Sequence, residues 1–266
     1  MLKVVVSGFR GRMGTQVVQA VCAQDDMEVV GGYDPLSPTG SVELEGVAIA
    51  PAFSDLASAL ATVRPDVLVD FTSPASVADN LRIALSAEVD CVVGTTGLTP
   101  EKLAELAACA PEGTALFHAP NFTLGAVLMM TFATKAARYF PDVEVIEFHH
   151  NNKLDAPSGT AVTTALNMAA VRAEAHIGSA APGAESELPG RGGARGTSVN
   201  GVPVHSVRSN GYMAHQEVIF GSTGETLTIR HDSIDRACYM PGVLLALREV
   251  GKLSGLVIGL DKLLDL

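Results

Sequence analysis

Residues 147–161 read EFHHNNKLDAPSGTA and gather more proton carriers, cations and backbone donors than any other stretch of this length in the chain. His149 and His150 are adjacent, and Lys153 follows. A turn at Asp155-Ala156-Pro157 then leads into Ser158-Gly159-Thr160, which opens an Ala-rich apolar segment. Taken singly, each residue has a plain structural reading: a histidine at a strand end is a hydrogen-bonder and a lysine beyond it is solvated. Taken together they describe an anion pocket with acid catalysis. A histidine titrates near neutral pH and can deliver a proton. A lysine offers a compact charge and three donors, suited to a carboxylate or to protonating a nitrogen. A helix that starts Ser-Gly-Thr presents unpaired N–H groups and a hydroxyl to a further carboxylate. Pro157, just before that helix, fits a first-turn position and fixes the entry angle. Metal binding is the competing chemistry, and it is disfavoured. Adjacent histidines on an extended segment point to opposite faces, and no helical HExxH pair exists. No metal is expected.

These residues need a frame, and the first half of the chain supplies a repetitive one. Residues 2–7 (LKVVVS) are a short apolar run of the kind buried on both faces of a parallel sheet. Gly8-Phe9-Arg10-Gly11-Arg12-Met13-Gly14 follows, and 13–23 then carries apolar residues at helical spacing. A second strand, 27–33, ends at Asp34, which lies 20 residues after Gly14. Glycines at a strand-to-helix turn let backbone approach a pyrophosphate at the helix N-terminus. An acid ending the next strand can accept from a ribose diol. The spacing is GxxGxxG rather than GxGxxG, so the flanking strand, helix and acid carry the reading of dinucleotide binding.

The alternation continues with helices near 54–62, 75–87 and 100 onward, and strands at 66–71, 91–94 and 114–118. It predicts a doubly wound parallel sheet with α/β topology. Four small-residue clusters, GFRGRMG, DFTSP, GTTG and APNF, fall at strand C-termini, where such sheets bind ligands. Beyond them, 123–137 is predicted helical, 143–148 a strand and 160–175 a helix. Residues 179–202 (with GRGGARG) read as a mobile surface loop. Alternating β-branched runs at 204–207, 217–220 and 226–230 predict an antiparallel or mixed sheet, and 235–266 returns to helical spacing. With a nicotinamide groove beside the acid pocket, the chemistry expected is hydride transfer to a C=C or C=N bond of a small acid, with protonation by His or Lys.

Composition narrows the classes. The chain has 266 residues, 47% hydrophobic and 18% charged, enough for one large domain or two modest ones. A net charge of −11 argues against a nucleic-acid partner. No apolar run reaches the ~20 residues of a membrane span, so no membrane partner and a cytoplasmic location are expected. The four cysteines, Cys22, Cys91, Cys109 and Cys238, form no CxxC pair and read as small buried hydrophobes in a reducing compartment.

GFRGRMG (8–14), DFTSPASV (70–77), GTTG (94–97), APNF (119–122), EFHHNNKLDAPSGTA (147–161) and HQEVIFGSTGETLTIRHDS (215–233) together resemble the 4-hydroxy-tetrahydrodipicolinate (dihydrodipicolinate) reductase family of the diaminopimelate and lysine pathway. The resemblance spans essentially the whole chain. It implies a Rossmann-like dinucleotide domain over 1–122, completed by C-terminal helices within 237–266. It also implies an α+β substrate-binding and tetramerisation domain over 123–236, and a homotetramer. By the same resemblance, His149 is proton donor or acceptor and Lys153 proton donor, while His150, Gly159 and Thr160 contact carboxylates of a small dicarboxylate substrate. Gly8, Phe9, Arg10, Gly11, Arg12, Met13, Asp34, Gly94, Thr95, Thr96, Ala119, Pro120, Asn121 and Phe122 line the nicotinamide dinucleotide. The implied reaction is loss of water from the 4-hydroxy compound and its reduction by NADH or NADPH, with His149 and Lys153 facing the nicotinamide over the substrate.

Asp34 is followed by Pro35, where relatives favouring a 2′-phosphate can carry arginine, so NADH is expected to serve at least as well as NADPH. The alternatives are an aspartate or homoserine dehydrogenase on the same plan, which is not expected to place HHxxKxDAPSGT mid-chain, and a redox-sensing dinucleotide-binding regulator, which does not need His149 and Lys153.

Overall fold

The computed structural model describes residues 1–37, 39–44, 47–177 and 195–266. In chain order the elements are β1 (Leu2–Ser7), α1 (Arg12–Cys22), β2 (Met27–Tyr33), β3 (Gly40–Leu44), β4 (Val47–Phe53), α2 (Leu56–Val63), β5 (Val67–Asp70), α3 (Val77–Ser86), β6 (Asp90–Val93), α4 (Pro100–Ala108) and β7 (Ala115–His118). There follow α5 (Leu124–Ala136), β8 (Asp142–His149), α6 (Gly159–Glu174), β9 (Thr197–Val199), β10 (Val202–Arg208), β11 (Ala214–Ser222), β12 (Glu225–Ser233), α7 (Met240–Val250) and β13 (Gly255–Ile258). The chain divides into two compact units, Met1–Leu124 with Arg236–Leu266, and Gly125–Asp235.

The first unit holds an eight-stranded sheet in the order β13-β7-β6-β5-β1-β2-β4-β3, parallel except where β3 runs antiparallel to β4. The central strands are Val- and Leu-rich and buried along their length: VLVD of β5 and ALFH of β7 are covered throughout. Such runs demand a helical layer on each face. α2, α3 and α4 form one layer, with Leu81, Leu85 and Leu103 packed on Val5, Leu68, Cys91 and Leu116. α1 and α7 pack together as another, touching β1 and β2 and β6 and β7 respectively. Each fully buried aliphatic side chain contributes ~1.5–3 kcal/mol through burial alone.

The second unit is a five-stranded mixed sheet, β12-β11-β8-β10-β9. β8 pairs parallel with β10 and antiparallel with β11. Its core lies on one face, where Ala133 and Ala137 meet Ala161, Ala165 and Met168 of α6 and Val143, Val145, Val218 and Phe220 of the strands. On β8 the alternate residues Glu144, Ile146 and Phe148 are only partly buried, as two-residue periodicity requires.

Four expectations change. The segment after 235 is not helical throughout, because β13 adds to the sheet edge beside β7 in parallel register. Residues 197–199 of the predicted loop form β9, paired antiparallel with β10, while 178–194, with most of GRGGARG, lie outside the described residues. Of the cysteines only Cys91 is buried: Cys22, the last residue of α1, and Cys109, just past α4, are exposed, and Cys238 is half-buried. Pro157 precedes the helix cap rather than entering the first turn, because α6 begins at Gly159 with Ser158 as N-cap.

Candidate active site

The predicted proton carriers stand where β8 ends and α6 begins. Val143, Val145, Glu147 and His149 share one face of β8 by strand alternation. The first two join the core under α6. Glu147 follows them inward and is fully buried, whereas His149 reaches the strand end and is partly exposed. His149 Nδ1 lies 2.5 Å from Glu147 Oε2. Arg208, register partner of His149 on β10, meets the same carboxylate with both terminal nitrogens, Nη1 to Oε2 and Nη2 to Oε1, each at 2.8 Å. Ser158 N–H donates to Oε1 at 3.3 Å. Burial alone pushes the Glu147 carboxyl up, but hydrogen bonds from His149, Arg208 and Ser206 outweigh it and hold the value at about 2. Glu147 is therefore an ionised carboxylate inside the fold, satisfied by charged and neutral donors as burial of a charge requires.

Beyond His149 the chain turns sharply. Lys153 N–H donates to the His150 carbonyl at 3.1 Å, which returns the lysine toward the helix start. Lys153 Nζ donates to Asp155 Oδ1 at 2.8 Å. The Asp155 carboxyl is held below the usual range, first by Lys153 and also by the Gly159 N–H. Arg208 Nη2 donates to the Asp155 carbonyl at 2.7 Å, tying this turn to β10. Ser158 Oγ accepts from Ala161 N–H at 3.2 Å and caps α6. Gly159 is exposed, with open space where a Cβ would project. His150 is exposed and Thr160 half-buried. His149, Lys153, Gly159 and Thr160 thus come from one strand end, one turn and one helix N-terminus of the same unit. Glu147 and Arg208 bind them together, and the sequence reading gave neither a role. Glu147 had a signal, since two-residue alternation places it on the face of His149. Arg208, 61 positions away in sequence, had none without the strand pairing.

In the first unit the four small-residue clusters follow β1, β5, β6 and β7, which are consecutive and mutually parallel. They therefore share one sheet edge and touch each other. Gly8 has φ +77°, and a Cβ there would stand 2.6 Å from the Phe71 carbonyl oxygen. At Gly14 a Cβ would come within 2.1 Å of the Gly8 carbonyl oxygen. The Phe71 ring lies 5.8 Å from that of Phe122. The N-cap of α1, Gly11, offers no side-chain hydrogen bond, so no N-cap side chain satisfies the first-turn N–H groups. This is an uncapped helix N-terminus behind side-chain-free backbone, the arrangement that fits a pyrophosphate.

Asp34 ends β2. Its Oδ1 accepts from Leu36 N–H at 2.9 Å, which fixes the carboxylate at the strand tip. Exposed Arg10 donates to the Leu36 carbonyl at 3.0 Å. Gly94, Thr96, Pro120 and Asn121 reach the surface of this edge. Other predicted residues turn their side chains inward. The Phe9 ring is buried against Gly32, the Phe122 ring packs on Phe117, and Ala119 is covered. Thr95 gives its hydroxyl to buried Asp70 at 2.6 Å, which anchors the GTTG turn to the end of β5. His118, under that turn, has a pKa pushed down by burial.

No helix among the described residues is long and apolar enough to cross a membrane. The two parts of the dihydrodipicolinate reductase family match separately, the N-terminal model over residues 2–122 and the C-terminal model over 125–264. A 4-hydroxy-tetrahydrodipicolinate reductase of Enterococcus faecalis is 48% identical over 265 residues, covering 99% of this chain and 100% of its own length. One from Mycobacterium sp. is 46% identical over 268 residues and covers 100% of both chains. Among solved structures, a dipicolinate-bound dihydrodipicolinate reductase from Paenisporosarcina sp. TG-14 aligns at a TM-score of 0.85 with 41% identity, over 99% of this chain and 100% of that one. An amine dehydrogenase from Mycobacterium smegmatis, at 15% identity and a TM-score of 0.64, shares the fold. With both family models matched end to end, the chain belongs to the dihydrodipicolinate reductase family.

Proposed function

We propose that this protein reduces 4-hydroxy-tetrahydrodipicolinate to tetrahydrodipicolinate with loss of water, in diaminopimelate and lysine biosynthesis, as a nicotinamide-dependent oxidoreductase. The observation that carries the proposal is the HHxxKxDAPSGT segment folded as one cluster, in a chain that matches the family throughout. When bound, the reduced nicotinamide supplies a hydride. The chain's own residues supply the rest. Lys153 and His149 are the proton carriers for the substrate, whose conjugated C=C–C=N system gains one hydride and one proton. Gly159 and Thr160, at the start of α6, and His150 receive the substrate carboxylates, with the helix N-terminus favouring the negative charge.

Gly8 to Met13, Asp34, Gly94 to Thr96 and Ala119 to Phe122 are proposed to hold the dinucleotide. NADH is proposed to serve at least as well as NADPH, since Asp34 stands ready for a ribose diol and Pro35 brings no cation. Arg10, resting on the same turn, keeps NADPH usable. A preference for NADPH above ~10-fold (about 1.4 kcal/mol) in parallel kinetics would reject this assignment. The active form is proposed to be a cytoplasmic homotetramer. Among the described residues, none of the second unit's helices packs on the sheet face that carries Ile146, Phe148 and Ile219, and a second copy is its proposed cover. Sedimentation at several concentrations tests this.

The assay for the reaction generates the hydroxy substrate in situ from pyruvate and aspartate semialdehyde with the upstream synthase and follows NADH consumption. Turnover above background is expected. Background-level turnover, or equal turnover on aspartate semialdehyde alone, would reject the reading.

A further inference from the structure

Glu147 lies at the meeting point of the three elements that build the proton-handling cluster. Its Oε2 faces His149 Nδ1 at 2.5 Å on its own strand. Arg208 of β10 closes on both oxygens, and Ser158 N–H of the α6 cap reaches Oε1. None of the carboxylate is exposed to solvent.

An ionised carboxylate only accepts hydrogen bonds. The ring nitrogen that faces it must therefore carry a proton in both charge states of the histidine. Nδ1 is thereby taken out of proton exchange, and Nε2 becomes the nitrogen that gains and loses one. Left to itself, a neutral imidazole favours the tautomer with the proton on Nε2, which donates there and cannot accept. With Glu147 in place the neutral ring accepts at Nε2 and the charged ring donates there, as a reversible proton carrier must. Arg208 makes the arrangement rigid. Its planar fork leaves the carboxylate a single orientation, and the same guanidinium holds the Asp155 carbonyl beside Lys153.

We propose that Glu147 is a positioning residue for the reaction, with Arg208 as its clamp: it fixes His149 as the Nδ1–H tautomer and aims Nε2 at the substrate. This rests on the reductase reading for its catalytic consequence, while the tautomer itself does not. The plainer alternative is that Glu147 and Arg208 form a structural ion pair beside a histidine whose tautomer is indifferent to them.

The experiment has two arms. In the first, full-length protein carrying 15N-labelled histidine is observed by NMR at a pH where His149 is neutral, its signal assigned by loss in His149→Gln. The pattern expected is protonated Nδ1 and unprotonated Nε2 in the unsubstituted protein, shifting toward the Nε2–H form in Glu147→Gln. An Nε2–H tautomer in the unsubstituted protein would overturn the proposal, whether or not any variant folds and whether or not the proposed reaction is found.

The second arm is a double-mutant cycle in turnover. Glu147→Gln is expected to lower kcat by about 10–100-fold, up to the lower end of what a positioned proton carrier itself contributes, with KM little changed. In the His149→Gln background the same substitution is expected to cost less than about 2-fold, because the two act as one unit. An equal loss in both backgrounds would make Glu147 structural and overturn the proposal. Absence of turnover in the unsubstituted protein would instead sink the reductase reading and leave the first arm to decide.

Discussion

Lys153 gives its ammonium to Asp155, two residues on, at 2.8 Å. The Asp155 carboxylate also receives the Gly159 N–H. One carboxylate of the chain itself therefore sits on two of the donors assigned to the substrate. A dicarboxylate ligand has to displace it or share with it.

That relationship predicts the effect of Asp155→Asn. The Lys153–Asp155 pair is half open to solvent, and such pairs contribute no more than about 1 kcal/mol. Removing the competing charge should therefore tighten a planar dicarboxylate inhibitor such as dipicolinate by up to about 5-fold. Competitive inhibition against the hydroxy substrate measures it. An unchanged or weaker inhibition constant would mean that Asp155 organises the lysine rather than competing for it.

Lys153 itself should be indispensable to the rate. Loss of a general acid costs about 10²–10⁴-fold, so Lys153→Ala should lose most of its turnover. It should still bind NADH, because the residues proposed to hold the dinucleotide lie in the other unit. Lys153→Arg should not recover the rate, since a guanidinium keeps its proton. Fluorescence titration with NADH beside steady-state kinetics checks both. Near-normal turnover in Lys153→Ala would remove the residue from the mechanism.

The parts of the site that were legible in the sequence are those set by local chemistry. The strand–turn–helix alternation of residues 2–118 shows because each strand is an apolar run cut by small residues, and the structure adds that the four cut points are consecutive along one sheet edge. Strand pairing supplies what was not legible. β13 is a four-residue run inside a segment of helical leucine spacing, and becomes a strand because it lies beside β7. Val47–Phe53 includes Pro51, which argues against a strand in isolation, yet the run pairs with β2 as β4. The HHxxK cluster was visible as a set of reactive groups. The carboxylate–guanidinium pair that joins them depends on β8 meeting β10 in parallel register, a contact that no local window contains.

Acid should remove the stability that the buried carboxylate supplies. Glu147 titrates at about 2, below the 4.5 of a free glutamate. A depressed carboxyl adds stability that is fully present above 4.5 and is lost as the pH falls from there through about 2. At about 1.4 kcal/mol per unit the full contribution is on the order of 3 kcal/mol. Glu147→Gln lacks it. Denaturant midpoints taken between pH 7 and pH 2 should show the gap between native protein and Glu147→Gln narrowing below pH 4.5. A gap constant across that window would show that the pair confers no net stability.

Two glycines should respond oppositely to the same substitution. At Gly14 an added Cβ stands 2.1 Å from the Gly8 carbonyl oxygen, so backbone has to move. The turn that moves is the one proposed to let a pyrophosphate approach. Gly14→Ala should therefore lower the Tm and weaken NADH binding by about 10-fold or more, as loss of a close backbone approach implies. At Gly159 an added Cβ meets nothing within 4 Å, and alanine suits the first turn of a helix. Gly159→Ala should keep or slightly raise the Tm and leave NADH affinity alone. Its methyl nevertheless projects from the N–H groups assigned to the substrate carboxylate, so KM should rise while kcat changes less. Thermal unfolding, NADH titration and steady-state kinetics on the two variants separate these effects. A Gly159→Ala enzyme with unaltered KM would place the substrate carboxylate elsewhere than on the α6 N-terminus.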